Sequence, residues 1–238
     1  MELWRERGDD FWVAETLALL SEANWQLDLY EEGIQQAKEA LGIFERLGYT
    51  DEQANCLNCL AQLLQGDGQL DAAEEEASHA IELLPQENQS FRICQSHRFL
   101  GDIYRSQGKR QKAIHHHNIA LRIASTSNWH DQLFCIHYHL AKLFRGEDDF
   151  SNAQTRIEQA KFHSAEDAYH LGLATELQAQ IWYRQGKFED AASETLCASE
   201  IFEKLGAARE AGECRELIRE IKQAAESQDS SGQYSSGG

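Results

Sequence analysis

The sequence predicts an all-α protein, a solenoid of stacked antiparallel helix pairs closed by a C-terminal capping helix. The first observation behind this is composition. The 238 residues include 29 Ala, 27 Glu, 26 Leu and 21 Gln, against one Val, six Thr and one Pro. The abundant types lose little rotamer freedom in a helix, whereas sheets draw on the β-branched types that are scarce here. The second is a repeat of about 40 residues. Ala40, Ala80, Ala120, Ala160 and Ala198 form one column, and Gly33, Ala73, Ala113, Ala153 and Ala191 form another. Ser21, Ala61, Gly101, Ala141 and Ala179 form a third. The third observation is that each period holds two runs of helical apolar spacing separated by a turn residue, at Asp28, Gly68, Gly108, Asp148 and Gly186.

The elements follow in order. Residues 1–9 are expected to be the remnant of a preceding repeat, because Leu3, Trp4 and Gly8 stand 40 residues before Ile43, Phe44 and Gly48. The chain is therefore expected to begin inside a longer array. Five helix pairs are expected at 10–48, 49–88, 89–128, 129–167 and 168–205. In the second pair Leu57, Leu60, Ala61 and Leu64 share one helical face, and Leu70, Ala73, Ala77, Ala80, Ile81 and Leu84 form the return helix. Bulky columns accompany the small ones: Leu20, Leu60, Leu100 and Leu140, then Leu64, Tyr104, Phe144 and Trp182. One pair cannot bury both of its faces, and stacked pairs can. Residues 206–225 are expected to be a lone capping helix. Arg219 falls in a small-residue column there, so no further helix can pack closely. Residues 226–238 lack apolar periodicity and are expected to be disordered.

The pattern of small, two residues, bulky, then turn, aromatic and two spaced alanines resembles the tetratricopeptide repeat (TPR). Leu100, Gly101, Tyr104, Gly108, Ala113 and Ala120 carry it best. The period of 40 is similar to the long-repeat arrays of kinesin light chain and nephrocystin-like proteins. Asn24 and Gln178 in the bulky columns and Arg110 in the aromatic one depart from the pattern. The phrases KEALGIFERLG and SEIFEKLGAAREAGECRELI resemble more narrowly the C-terminal arrays of basidiomycete fungal NLR-like proteins. The resemblance implies a right-handed superhelix with a concave binding surface, serving as the sensor or regulatory arm of a larger protein.

A formal charge of −18 disfavours phosphate backbones and anionic lipid as partners. No apolar run approaches the ~20 residues of a membrane span. Six cysteines, mostly on apolar helical stretches, fit a reduced, cytoplasmic setting.

No catalytic, metal or cofactor constellation emerges, and a non-enzymatic protein is expected. Cys56 and Cys59 form a CxxC without the second pair a zinc ribbon needs. His115, His116 and His117 point about 100° apart along a helix and cannot converge on one ion. His117 shares a packing column with Ala37, Ala77, Ile157 and Thr195. His97 and His137, one repeat apart, could approach each other, with Cys135 or His139 nearby. Gly101 to Lys109 echoes a phosphate loop at the wrong spacing.

The first helices carry a second stripe, rotated about 120° from the core-facing one. It reads Glu15, Ala18, Glu22 and Trp25, then Asn55, Asn58, Gln62 and Gln65, then Gln95, Arg98, Asp102 and Arg105. The fourth pair adds Cys135, Tyr138, Lys142 and Arg145, and the fifth Leu173, Glu176, Gln180 and Tyr183. Amides both donate and accept, which suits a peptide backbone, and Arg forks suit carboxylates. The candidate groove therefore comprises Asn55, Asn58, Gln62, Gln65, Gln95, Arg98, Asp102, Arg105, Tyr138, Lys142, Arg145, Gln180 and Tyr183. The expected partner is a protein or peptide segment of acidic character, or upstream domains of the same protein. The bland alternative is a solvated face with an Arg98–Asp102 helical pair. The carboxylate clamp of chaperone-binding relatives is matched only in shifted form, by Asn58, Arg98 and Arg105, because Glu15 and Glu22 stand in the first pair. A homo-oligomerising scaffold acting through convex or end surfaces is the other functional class.

Overall fold

The computed structural model describes residues 8–85, 90–164 and 167–234. Among these, every regular element is a helix. They are α1 (Asp10–Gln26), α2 (Tyr30–Leu47), α3 (Thr50–Gly66), α4 (Leu70–Leu83), α5 (Phe91–Ser106) and α6 (Arg110–Ser127). Then come α7 (His130–Gly146), α8 (Phe150–His163), α9 (Ala168–Arg184), α10 (Phe188–Leu205) and α11 (Ala208–Tyr234). Residues 1–7, where most of the expected repeat remnant falls, lie outside the described residues.

The chain divides into two compact units, one ending at Asn128 and the other starting at Trp129. The first is a stack of three hairpins, α1–α2, α3–α4 and α5–α6, in which α3 packs on α1 and α2, and α5 on α3 and α4. The second stacks α7–α8 on α9–α10 and closes with α11 lying on α10 and α9. Both are segments of an α-solenoid.

All fifteen residues of the three small columns are buried. The alanines at 40, 80, 120, 160 and 198 are 0% exposed, so nothing larger than a methyl stands between the backbones there. The bulky columns fill the space between, with Leu60, Leu100 and Leu140 at 1%, 2% and 0%. Burying such a side chain contributes roughly 1.5–3 kcal/mol.

The hairpin turns share one backbone solution. Gly68, Gly108 and Gly186 sit at φ +81, +71 and +74. Asp28 and Asp148 take the same left-handed region at +58 and +59, which Asp tolerates better than most residues with a Cβ. Of the departures from the repeat, Asn24 donates from Nδ2 to Gln36 Oε1 at 2.9 Å, and Gln178 is buried in its column.

The capping helix differs from expectation at its end. It runs to Tyr234, not 225. Residues 226–231 hold neither Pro nor Gly to stop it, and the Ser227 hydroxyl donates to the Gln223 carbonyl within the helix at 2.8 Å. Its inner face is Ala211, Cys214, Leu217 and Ile221, while Arg219 reaches outward to Glu216 at 3.8 Å. Residues 235–238 of the expected tail lie outside the described ones. No helix of the described residues is long and apolar enough to cross a membrane.

Candidate functional site

In the first unit the stripe is drawn from α3 and α5. Its α3 half is amide-rich. Asn58 is 1% exposed and donates from Nδ2 to the Arg92 carbonyl at 3.3 Å. Asn55 Oδ1 accepts from Arg92 Nη1 at 2.7 Å, and Gln95 Oε1 accepts from the same nitrogen at 3.1 Å. Arg92 Nε also lies 3.7 Å from Asp51. Gln65 Nε2 donates to Ser106 Oγ at 3.1 Å, tying α3 to α5. Arg92 thus knits the stripe together, although it stands outside the stripe's own register. Its signal was its place one helical turn before Gln95.

The Arg98–Asp102 pair is a correction to the solvated-face alternative. Arg98 is 8% exposed and Asp102 3%, with Nη1 to Oδ2 at 3.8 Å. His117 from α6, fully buried, brings Nε2 to 3.5 Å from Asp102 Oδ1. The Arg98 guanidinium also lies over the Phe99 ring, 4.2 Å from its centroid. Gly101 makes this arrangement possible, because a Cβ there would stand 2.7 Å from the His117 ring. Where the equivalent small residue is Ala61, the partner column holds Ala77 instead of an imidazole. Arg98 is therefore committed to an internal network.

Arg105 is half-buried, and its Nε is a buried donor with no acceptor among the described residues. Asn58 Oδ1 is likewise a buried acceptor without a donor. An unsatisfied buried polar atom costs about 1–3 kcal/mol, and each one in a folded protein calls for water or a ligand to explain it.

In the second unit α7 and α9 supply the stripe. The Arg145 guanidinium donates to Gln180 Oε1, and Gln180 Nε2 donates to Glu176 Oε1 at 2.8 Å. Burial pushes the Glu176 carboxyl above its usual range, and nearby Glu213 adds to the effect. Lys142 Nζ lies 5.4 Å from the Tyr138 ring centroid, and burial likewise raises the Tyr138 phenol. Tyr183 turns toward Phe188, 6.0 Å between centroids. It lines a shallow cavity of about 660 Å³ with Asp148, Phe150, Arg184, Gly186, Phe188 and Ala224.

The other sequence candidates resolve locally. Burial pushes the thiols of both Cys56 and Cys59 up to about 12, which leaves them protonated. His97 and His137 each have a partner within their own unit. His97 Nδ1 meets His116 Nδ1 at 3.0 Å, and His137 stacks on His163 with centroids 5.8 Å apart. Each finds its partner on the return helix of its own hairpin. Among the described residues no group of three or more His, Cys, Asp or Glu is arranged to hold a metal ion.

No protein-family model matches this sequence, and no curated protein matches it. Solved structures do. Aspartyl phosphate phosphatase F from Bacillus subtilis is 14% identical with a TM-score of 0.64, over 90% of this chain and 61% of that one. A Rap protein complexed with Competence and Sporulation Factor is 18% identical with a TM-score of 0.65, over 92% of this chain and 66% of that one. The kinesin light chain TPR-like repeats of Podospora anserina are 14% identical with a TM-score of 0.61, over 81% of this chain and 96% of that one. The chain thus spans less than two thirds of the first two. At these identities the likeness establishes the fold, a TPR-like helical array.

Proposed function

We propose that this chain is a non-enzymatic interaction scaffold that binds a peptide or protein segment on the first-helix stripe of α3 and α5. The observation that carries this is the partly exposed Asn55 amide and Arg105 guanidinium on that stripe, both open to solvent where the buried Asn58 and Arg98 are not. A peptide backbone offers the complementary N–H and C=O. Half-buried Gln62 and Gln95 extend the same two-sided chemistry. Arg105 favours a carboxylate nearby, so the segment is acidic. The α7–α9 stripe, with Lys142, Arg145, Gln180 and Tyr183, is a second surface of similar chemistry. One structural neighbour was solved with Competence and Sporulation Factor bound, which supports reading such an array as a platform for a bound partner.

The finer reading is that the array is the sensor or regulatory arm of a larger, cytoplasmic NLR-like protein. The segment it takes is then either a foreign partner or an upstream domain of the same protein. The sequence phrases that resemble fungal NLR-like arrays support this. A homo-oligomerising scaffold is the second reading, favoured by the exposed apolar side chains of α1, among them Trp12 and Leu19. Light scattering separates it from the first.

The test is a peptide array of acidic segments with interspersed aromatics, probed with the wild-type chain and with Gln62→Glu/Arg105→Glu. Both positions are half-buried, so helicity should persist. Loss of bound spots in the variant is expected. An unchanged spot pattern would move the interaction off this stripe.

A further inference from the structure

Two histidine pairs bring their Nδ1 atoms to hydrogen-bond distance across a hairpin. His97 and His116 stand 3.0 Å apart between α5 and α6, and His130 and His163 stand 3.1 Å apart between α7 and α8. The repeat does not call for the second pair. At the position of His163 the other return helices carry Ile43, Leu83, Ile123 and Ile201. At that of His130, Thr50, Ser90 and Ala168 stand at the start of the other first helices. Packing thus asks for an aliphatic side chain where His163 stands, and burial there pushes its imidazole below the usual histidine range. His137, also on α7, stacks on His163 at an interplanar angle of 6° and holds the plane of its ring.

A neutral imidazole offers one ring nitrogen to a metal and keeps its proton on the other. Metal–nitrogen bonds of about 2.0–2.1 Å span the 3.1 Å between these two nitrogens at an angle of about 100°. That lies between the roughly 90° of an octahedral ion and the roughly 109° of a tetrahedral one. We propose that His130 and His163 together bind a divalent late transition-metal ion, of the class Ni²⁺, Cu²⁺ or Zn²⁺, through their two Nδ1 atoms. In the hydrogen-bonded pair one Nδ1 carries the shared proton. Ligation moves that proton to Nε2 of the same ring through solvent, with none released overall. His130 is exposed, so the remaining coordination positions fall to water and the ion exchanges, unlike one in a closed structural site. Imidazole suits these metals, whereas Mg²⁺ and Ca²⁺ take oxygen ligands.

Charge separates this pair from the other. Residues 92–128, which include α5 and α6, hold seven basic residues and one acidic. Arg122 presses on His97 and Lys112 on His116, while nearby Glu74 is engaged by Tyr104, Gln107 and Lys109. A divalent cation at His97 and His116 would be repelled. Residues 129–163 hold four basic residues and five acidic. Of those cations, Lys161 is engaged by Glu194 and Arg156 by His137.

This site lies apart from the α3–α5 stripe, so its test is independent of the peptide-binding reading. Ni²⁺ is titrated by calorimetry into the untagged full chain, into His130→Ser, His163→Leu and His97→Leu. Each substitution installs a residue type that the same column carries in another hairpin, so the variants should keep wild-type helicity. The wild type should bind one ion. Losing a ligand should cost at least the tenfold or so that losing an outer-shell partner costs, so His130→Ser and His163→Leu should each bind about tenfold or more weakly. His97→Leu should bind as the wild type does, and excess Mg²⁺ should not compete. Because the ion binds the folded hairpin, Ni²⁺ should raise the melting temperature of the wild type and not that of His163→Leu. No saturable binding by the wild type would overturn the proposal. So would unchanged affinity in either His130→Ser or His163→Leu, or an equal loss in His97→Leu.

Discussion

Two faces of the same first helices follow different rules. The packing face repeats, with buried small residues every 40 positions and bulky ones beside them. The candidate binding stripe does not repeat. It changes from amides on α3 to Arg, Asp and Gln on α5, and to Tyr, Lys and Arg on α7. Every hairpin must meet the same neighbour, so the packing face is constrained identically each time. A ligand meets each helix at a different place, so nothing enforces periodicity on the stripe. Arg98 and Asp102 cross this division, since they stand in the stripe's register yet are buried against His117.

Four substitutions sharpen or break that contrast. The largest effect is expected at Arg98→Glu. It removes the cation beside Asp102 and buries a second carboxylate there, a loss of about 3–5 kcal/mol in urea unfolding. If Arg98 belonged to the solvated stripe, the change would be nearly silent. Next comes Ala120→Trp, in the heart of a small column where Cys94 Sγ also contacts the Ala120 carbonyl at 3.5 Å. Overpacking there should cost about 1–3 kcal/mol or more.

Gly101→Ala should cost about 1 kcal/mol, because the new methyl meets a buried imidazole that cannot retreat far. Gly101→Ala/His117→Ala reinstates the Ala61–Ala77 combination and should relieve the clash. A double-mutant cycle with no coupling would refute the close approach.

The smallest effect belongs to His116→Ala, off the packing columns. Near pH 8 it should change stability by less than about 0.5 kcal/mol, as for most substitutions away from a core. Below neutrality it should matter more. Burial first, and neighbouring positive charge second, lower His97 and His116 to about 4 from an ordinary 6.5. Above the unfolded value both states are uncharged and the pair contributes fully. As pH falls from about 6.5 toward 4 the unfolded chain takes up protons that the folded pair refuses, and stability falls. His137, also lowered to about 4 by burial, adds to this loss. Thermal melts from pH 8 to 4 should therefore show a shallower decline for His116→Ala than for wild type, but not a flat one.

How much of this was legible in the sequence follows from the same contrast. The all-α solenoid was legible because small columns, bulky columns and turns repeat in phase. The turn at Asp148 belongs to a column otherwise rich in Gly, and its positive φ follows suit. The burial of Arg98 was not legible. It depends on an imidazole from α6 and on the one Gly in an Ala-rich column that admits it. The pairing of His97 with His116 was not legible because repeat spacing compares one hairpin with the next and says nothing of contacts within a hairpin. Arg92 was missed because it lies one turn outside the stripe as drawn.

The central claim is that the α3–α5 stripe binds an acidic segment independently of the packing beneath it. The most direct measurement is the affinity of a fluorescein-labelled acidic, aromatic-containing peptide for wild type and for Gln62→Glu/Arg105→Glu, at 0.1 and 1 M salt. Circular dichroism is recorded on the same samples. Over that range the Debye length falls from about 10 to about 3 Å. The account predicts binding that weakens with salt in wild type and is lost in the variant, with helicity and melting temperature unchanged. Binding of equal strength in both, insensitive to salt, would contradict it.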